Sequence, residues 1–514
     1  MADTAIGLKP KVQWIGLIAG PLLCLLTTLL LPHSYRESAG SIVEFAYAGR
    51  VTLGVMVWMA VWWLTEPINI SATALLPLVL LPILGAASVA DAASPYSHPL
   101  VYLVMGGFLI ALAMQKWRLD RRIALLTLNL VGSNPINMVG GIMLVTAVLS
   151  AFVSNTATAA MMLPIALSII ELYQQDKHEK SDGRNFALCA LLGLAYAASI
   201  GGIATIIGTG PNSFLVGFID ETIAHQYRSE ISFASWLAIG LPLTAVFLPL
   251  VWILLTRILY PLKTGEIKGG KELIASELAH LGPVSRGELL TFLVFLMAAF
   301  LWTARPLLSK LQTTAITGHD LAPFAGLTDT GIAMLAVMIL FVLPVNPKER
   351  EFALDWETAV RLPWGILLLF GGGLSLSEAV QNTGVAEFIA SQAMYLNGLP
   401  VLVLVLLVTG SVIFLTELTS NVATTTTLLP ILAALAPGLG VHPYILIVPA
   451  TMAASCAFML PVATPPNAIV FGSGEIDMQE MARAGIWLNL IGIVLISAIA
   501  LTIVPAAMGL PQGP

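Results

Sequence analysis

The sequence predicts an all-α polytopic membrane protein folded as an inverted repeat. Hydrophobic residues make up 57% of the chain and charged residues only 10%, where a soluble domain carries about 25% charged residues. Apolar runs close to the roughly 20 residues that cross a bilayer as helix recur from end to end. An unusual polar interruption of such a run also appears twice, as VSNTATAAMMLPIA at 153–166 and as TSNVATTTTLLPIL at 419–432.

Taken in order, the apolar runs lie near 12–32, 51–65, 69–87, 99–117, 137–171, 186–219, 233–260, 289–304, 329–346, 362–392, 398–436, 441–472 and 484–508. They form one membrane unit over 1–514, with no separate soluble domain. The run 12–32 exceeds the roughly 7 to 15 residues of a signal-peptide apolar region, so it reads as a retained first helix. Cys24, Cys189 and Cys456 each sit inside an apolar run and read as small core residues, not as a disulfide or metal framework. Trp58, Trp62 and Trp63 read as interfacial anchors. No basic stripe points to nucleic acid, and no nucleophile and base pair or His/Asp metal cluster points to an enzyme.

The formal net charge of -6 says little, because in a membrane protein the placement of Lys and Arg sets orientation. Basic residues gather at Lys9 and Lys11, at Lys116 to Arg122, at Lys177 to Arg184, along Arg257 to Arg286, and at Lys348 and Arg350. A cytoplasmic amino terminus puts all these clusters inside a cell inner or plasma membrane. Arg36, Arg50, Arg228, Arg305 and Lys310 then fall outside. The assignment requires 137–171 and 398–436 each to return to its starting side, as two short spans or as one re-entrant hairpin.

The repeat extends beyond the two polar motifs. Gly106, Gly107 and Gln115 match Gly372, Gly373 and Gln381 at an offset of 266, which also carries Ser150 onto Thr416, Ser154-Asn155 onto Ser420-Asn421, and Leu163-Pro164 onto Leu429-Pro430. GTGPN at 208–212 answers ATPPN at 463–467 at an offset of 255. Basic clusters flank the first motif, whereas loops assigned outside flank the second, so the halves are inverted. Inverted halves with broken apolar segments at matching places are the pattern of a secondary transporter with its site near the bilayer midplane.

Backbone that leaves the helix at membrane depth needs partners in protein or in a water-filled cavity. In GTGPN and ATPPN the glycines and prolines stop the helix, freeing carbonyls and amides across the break. Carbonyls and hydroxyls suit a small hard cation, while helix N-termini with Asn or Thr suit a carboxylate. Close helix packing explains an isolated Ser or Thr, but it does not call for Asn beside Ser in both halves. With no Lys or Arg in the breaks, an anion there is balanced by helix dipoles and bound cations, which implies cotransport. Glu66, Glu378 and Glu417 are the chief acids in or near spans; Glu378 and Glu417 fall opposite Leu112 and Ala151 in the repeat, which places them outside the duplicated machinery and leaves proton relay or structural hydrogen bonding open.

SNTATAAMMLP, TELTSNVATTTTLLP and AFMLPVATPPNAIVFG resemble the signature segments of the divalent anion/sodium symporter family, especially its sodium-coupled di- and tricarboxylate carriers. The resemblance runs through both halves. It implies eleven transmembrane helices, two re-entrant hairpins, a scaffold and a transport domain, a homodimer and elevator-type movement. The first core becomes 99–219, with hairpin 137–171 and broken helix 186–219; the second becomes 362–472, with hairpin 398–436 and broken helix 441–472. Carried over by position, one sodium site uses Ser150, Ser154, Asn155 and Gly208, and its counterpart Thr416, Ser420, Asn421 and Ala463. Substrate carboxylates meet Asn155, Thr156 and Thr209 from one half, and Ser420, Asn421, Thr464 and Pro465 from the other. Val422 stands where the first motif has Thr156, a departure that bears on substrate preference.

The expectation is therefore sodium-coupled symport of C4-dicarboxylates such as succinate, fumarate and malate, with sodium as coupling ion and no other cofactor. The rivals are a sodium-independent exchanger, a carrier for citrate or another divalent anion, and a channel.

Overall fold

The computed structural model describes residues 10–36, 41–176, 180–263, 265–309, 324, 326–393 and 398–510. Helix dominates them, as expected for backbone that must satisfy its own hydrogen bonds in lipid. Two short antiparallel ribbons are the exceptions, β1 (Ser34–Arg36) with β2 (Ile42–Glu44) and β3 (Pro344–Asn346) with β4 (Glu351–Phe352). Among the described residues, 8 helices are long and apolar enough to cross a bilayer, and five shorter apolar helices accompany them.

The first layer comprises α1 (Pro10–Leu30), α2 (Tyr47–Thr65), α3 (Ile70–Thr73), α4 (Leu76–Ile83) and α5 (Val89–Ala93). α1 lies along α2; Trp62 Nε1 donates to Gly16 O at 3.1 Å, and the absence of a side chain at Gly20 leaves room for the indoles of Trp58 and Trp62. Both rings therefore pack against α1. Trp63 is fully buried and donates to Ile70 O of α3 at 3.2 Å.

The first core follows as α6 (Pro99–Lys116), α7 (Leu119–Val131), α8 (Pro135–Ser150), α9 (Asn155–Asp176), α10 (Lys180–Gly202) and α11 (Gly210–Thr222). Then come α12 (Phe233–Ile253), α13 (Gly270–His280), α14 (Arg286–Leu308), α15 (Asp329–Val342) and α16 (Trp356–Ala359). The second core is α17 (Trp364–Asn382), α18 (Val385–Ala393), α19 (Val401–Thr416), α20 (Asn421–Gly438), α21 (Tyr444–Ala454) and α22 (Pro465–Phe471), and α23 (Met478–Ala507) ends the described fold.

Both Ser-Asn runs are helix, break, helix. α8 starts at Pro135, with Asn134 Oδ1 accepting from Ile136 N at 3.0 Å, and it stops at Ser150, five positions before α9 begins at Asn155. α10 packs against both α8 and α9, and α21 against both α19 and α20, so the helix after each pair ties its two arms together. The halves then interlock: α11 lies against α20 and α17, while α22 lies against α9 and α10. This exchange brings the breaks of both halves to one place.

Two runs read as continuous are split. The run 69–87 breaks after Thr73, and 362–392 breaks at Gly384, which turns the chain at φ +76° between α17 and α18. Two helices missing from the sequence reading, α7 and α13, lie among the basic clusters. A buried ion pair anchors α7, with Arg122 Nε donating to Glu288 Oε1 at 2.7 Å, and Arg121 reaches Glu277 on α13 at 2.6 Å.

Candidate functional site

The two breaks repeat the same hydrogen bonds. In the first half, Ser150 Oγ donates to Asn155 Oδ1 at 2.6 Å and stands 2.7 Å from Ala198 O. In the second, Thr416 Oγ1 stands 2.9 Å from Asn421 Oδ1 and 2.9 Å from Ala454 O. The hydroxyl at the end of one arm thus joins the Asn that starts the other to the carbonyl end of the following helix.

The protein's own groups satisfy the Asn155 amide with its nitrogen inward. Turned nitrogen-inward, it donates to Ser150 Oγ at 2.6 Å, Ala198 O at 3.2 Å and Gly208 O at 3.3 Å. Turned oxygen-inward, it makes a fourth oxygen facing the other three. Such a set of neutral oxygens suits sodium, a small hard cation, and gives no purchase to a soft metal. Both orientations are available to an amide, whose oxygen and nitrogen differ only in the partners they find.

Asn212 and Asn467 hold the unwound segments open. Asn212 Nδ2 donates to Gly202 O, Ile203 O and Thr205 O at 3.2, 3.1 and 2.8 Å. Asn467 Nδ2 donates to Ala457 O and Leu460 O at 3.1 and 3.0 Å. Each amide replaces helix donors that the break removed, as buried carbonyls require.

Here the halves also diverge. In the first, Ile203 N and Ala204 N keep turn-type bonds to Ile200 O and Gly201 O, and Thr205 Oγ1 donates to Ala151 O. In the second, Glu417 stands opposite Ala151 and gathers the freed amides: Phe458 N and Met459 N donate to Oε1 at 2.8 and 3.0 Å, and Leu460 N donates to Oε2 at 3.2 Å. Asn489 Nδ2 from α23 adds a bond of 2.8 Å. Only 3% of Glu417 is exposed, and both its oxygens accept from these donors. Glu378 lies elsewhere, on a small cavity of about 80 Å³ shared with Asp91 and Asn382.

The breaks surround a cavity of about 570 Å³. All eight residues expected to meet substrate line it: Asn155, Thr156, Thr209, Ser420, Asn421, Val422, Thr464 and Pro465. Of those expected to meet sodium, Ser154, Gly208 and Ala463 also line it, whereas Ser150 and Thr416 are buried behind it. α9, α11 and α20 all begin at its wall. The motif serines differ, since Ser154 Oγ caps Ala157 N at 3.2 Å while Ser420 makes no side-chain cap. Thr464 accepts from Asn467 N at 3.3 Å, which occupies one lone pair of its hydroxyl.

The sequence reading did not place the rest of the lining: Glu66, which it named only as an acid near a span, Ile70 and Ser71, with Phe108 of α6 and Gly365, Ile366 and Leu369 of α17. It also missed Ala198 and Ala454, which contribute through backbone carbonyls and so leave no side-chain signal.

The chain resembles known proteins along its whole length. A sodium-dependent dicarboxylate transporter of Staphylococcus saprophyticus is 41% identical over 506 residues, covering 97% of this chain and 92% of that one. Its namesake from Staphylococcus aureus is 40% identical over 503 residues, with the same coverage of 97% and 92%. Among solved structures, the YdaH transporter of Alcanivorax borkumensis superposes with a TM-score of 0.61 at 14% identity, covering 98% of this chain and 99% of that one. MtrF of Neisseria gonorrhoeae gives 0.63 at 12% identity, covering 99% and 97%; both likenesses concern the fold alone. The sequence profile of the sodium:sulfate symporter transmembrane region matches residues 12–506, and the chain therefore belongs to that family, the divalent anion/sodium symporters.

Proposed function

We propose that the protein is a secondary active transporter that carries C4-dicarboxylates such as succinate, fumarate and malate together with sodium, by an elevator-type movement in a homodimer of the inner or plasma membrane, with its amino terminus cytoplasmic. One observation carries this reading: each half brings a cluster of neutral oxygens and a helix N-terminus to the same cavity, whose lining contains no Lys or Arg. The Staphylococcus relatives, named for sodium-dependent dicarboxylate transport, support the choice of substrate and ion.

In this reading Ser150, Ser154, Asn155 and Gly208 hold one sodium ion, and Thr416, Ser420, Asn421 and Ala463 hold a second. One substrate carboxylate meets Asn155, Thr156 and Thr209, and the other meets Ser420, Asn421, Thr464 and Pro465. Helix N-termini carry about half a positive charge each, too little alone to neutralise a dianion. The cations supply the remainder. Because Asn155 and Asn421 serve both ligands, sodium and dicarboxylate strengthen one another reciprocally. The hairpins α8–α9 and α19–α20 enter from opposite faces and travel with α10–α11 and α21–α22 past the remaining helices, so the loaded cavity faces each side in turn.

Thermal unfolding of the purified protein tests the coupling. Succinate is expected to raise the melting temperature in sodium and to leave it unmoved in choline, because a ligand stabilises only the state it binds. Equal stabilisation in both salts would contradict coupled binding.

A further inference from the structure

Glu66 lies in the left-handed region at φ 44° and ψ 49°, unusual for a residue with a side chain. It ends α2, its N–H donating to Trp62 O at 2.9 Å, and Pro67 follows it. The tight turn sets it on the wall of the large cavity that the Ser-Asn motifs also line, and Glu66 is the one ionisable residue among those lining that cavity. Among the described residues its carboxylate has neither a hydrogen-bond nor an ion-pair partner. Strained backbone that holds an unpaired charge in a binding cavity is the kind of outlier from which a functional role is inferred.

An unpaired carboxylate facing an anion site has a definite electrostatic effect. It repels each negative charge of the occupant, and the repulsion grows with the occupant's total charge. For a dianion, the helix N-termini and the cations that take its two carboxylates oppose this repulsion. A third carboxylate adds to the repulsion without adding to those partners.

We infer that Glu66 sets a charge ceiling on the substrate, admitting dicarboxylates and discriminating against tricarboxylates in their trianionic form. This rests on the dicarboxylate reading above. It adds a specificity residue on the wall that the repeat motifs do not supply.

The test is inhibition of sodium-driven succinate uptake in proteoliposomes by tricarballylate, a trianion, and by glutarate, a dianion, at pH 7.5 or above. In Glu66→Gln the inhibition constant of tricarballylate is expected to fall about threefold or more relative to that of glutarate. The KM for succinate is expected to fall slightly, since two charges escape the same repulsion. Glu66→Asp keeps the charge and is expected to keep the wild-type ratio. Should Glu66→Gln fail to reach the membrane, Glu66→Asn makes the same change with a residue at home in the left-handed region.

An unchanged ratio in the neutral variant overturns the inference. So does a rise of succinate KM, which would make Glu66 a cation or substrate ligand, and so does a shift in Glu66→Asp equal to that in Glu66→Gln, which would trace the effect to the backbone turn. Failure of the wild type to take up succinate with sodium would instead strike the dicarboxylate reading itself.

Discussion

The Cγ2 methyl of Val422 lies 2.5 Å from the position a Cβ on Gly210 would take. Gly210 opens α11 of the first half and Val422 sits in the first turn of α20 in the second, so this contact is where the halves touch beside the cavity. The branched side chain of Val422 packs directly over the glycine. Gly210→Ala is expected to cost ~1–3 kcal/mol by overpacking and to lower uptake. Val422→Ala makes room, so in the double variant the added cost of Gly210→Ala should largely vanish. Melting temperatures of the four proteins in a double-mutant cycle check this, and additive losses would mean that the two residues do not share the contact.

Thr156, the counterpart of Val422, is exposed on the cavity wall. Thr156→Val keeps the shape but removes a hydroxyl expected to donate to a substrate carboxylate, a loss of roughly 1.5–3 kcal/mol for a bond to a charged group. Apparent succinate affinity should then fall about 10-fold or more. Val422→Thr should change the ranking of succinate against citrate more than the sodium response. Competition of both acids against labelled succinate at saturating sodium measures both effects, and no change in either variant would turn the third motif positions away from the anion.

Asn155→Ala and Asn421→Ala remove the amides that join each motif to its neighbouring hydroxyl. Each is expected to weaken apparent sodium affinity and succinate affinity together, by linkage. Sodium titrations of uptake at fixed succinate test this. Surviving protein with unchanged sodium dependence would reduce both residues to helix packing.

Glu417 holds Phe458, Met459 and Leu460 by their amides. Glu417→Ala leaves these donors buried and unpaired at ~1–3 kcal/mol each, enough to collapse the second break. Glu417→Gln keeps one accepting oxygen and should fall between the two. The expected order of melting temperature is wild type, Gln, then Ala. A Glu417→Ala protein as stable as wild type would mean that other groups take over the amides.

Much of this was legible because membranes punish irregular backbone. Ser154-Asn155, Ser420-Asn421, GTGPN and ATPPN stood out as polar breaks in apolar runs, and a helix begins at each of them. α7 and α13 stayed hidden because amphipathic helices among basic residues lack an apolar run. The role of Glu417 was illegible because three of its partners are backbone amides some forty residues on and the fourth is Asn489 on α23. The packing of Trp58 and Trp62 against α1 was not legible, because it depends on Gly16 and Gly20 of another helix. Glu66 stood out as an acid near a span, but its left-handed backbone and its place on the cavity left no mark in the sequence.

Sodium-coupled carriage is tested most directly by uptake of labelled succinate into proteoliposomes, with external sodium replaced in turn by choline, potassium and lithium. Concentrative uptake is expected under an inward sodium gradient and should collapse in choline or potassium. Uptake of equal rate without sodium, accelerated by dicarboxylate inside the vesicles, would contradict symport and make the protein an exchanger.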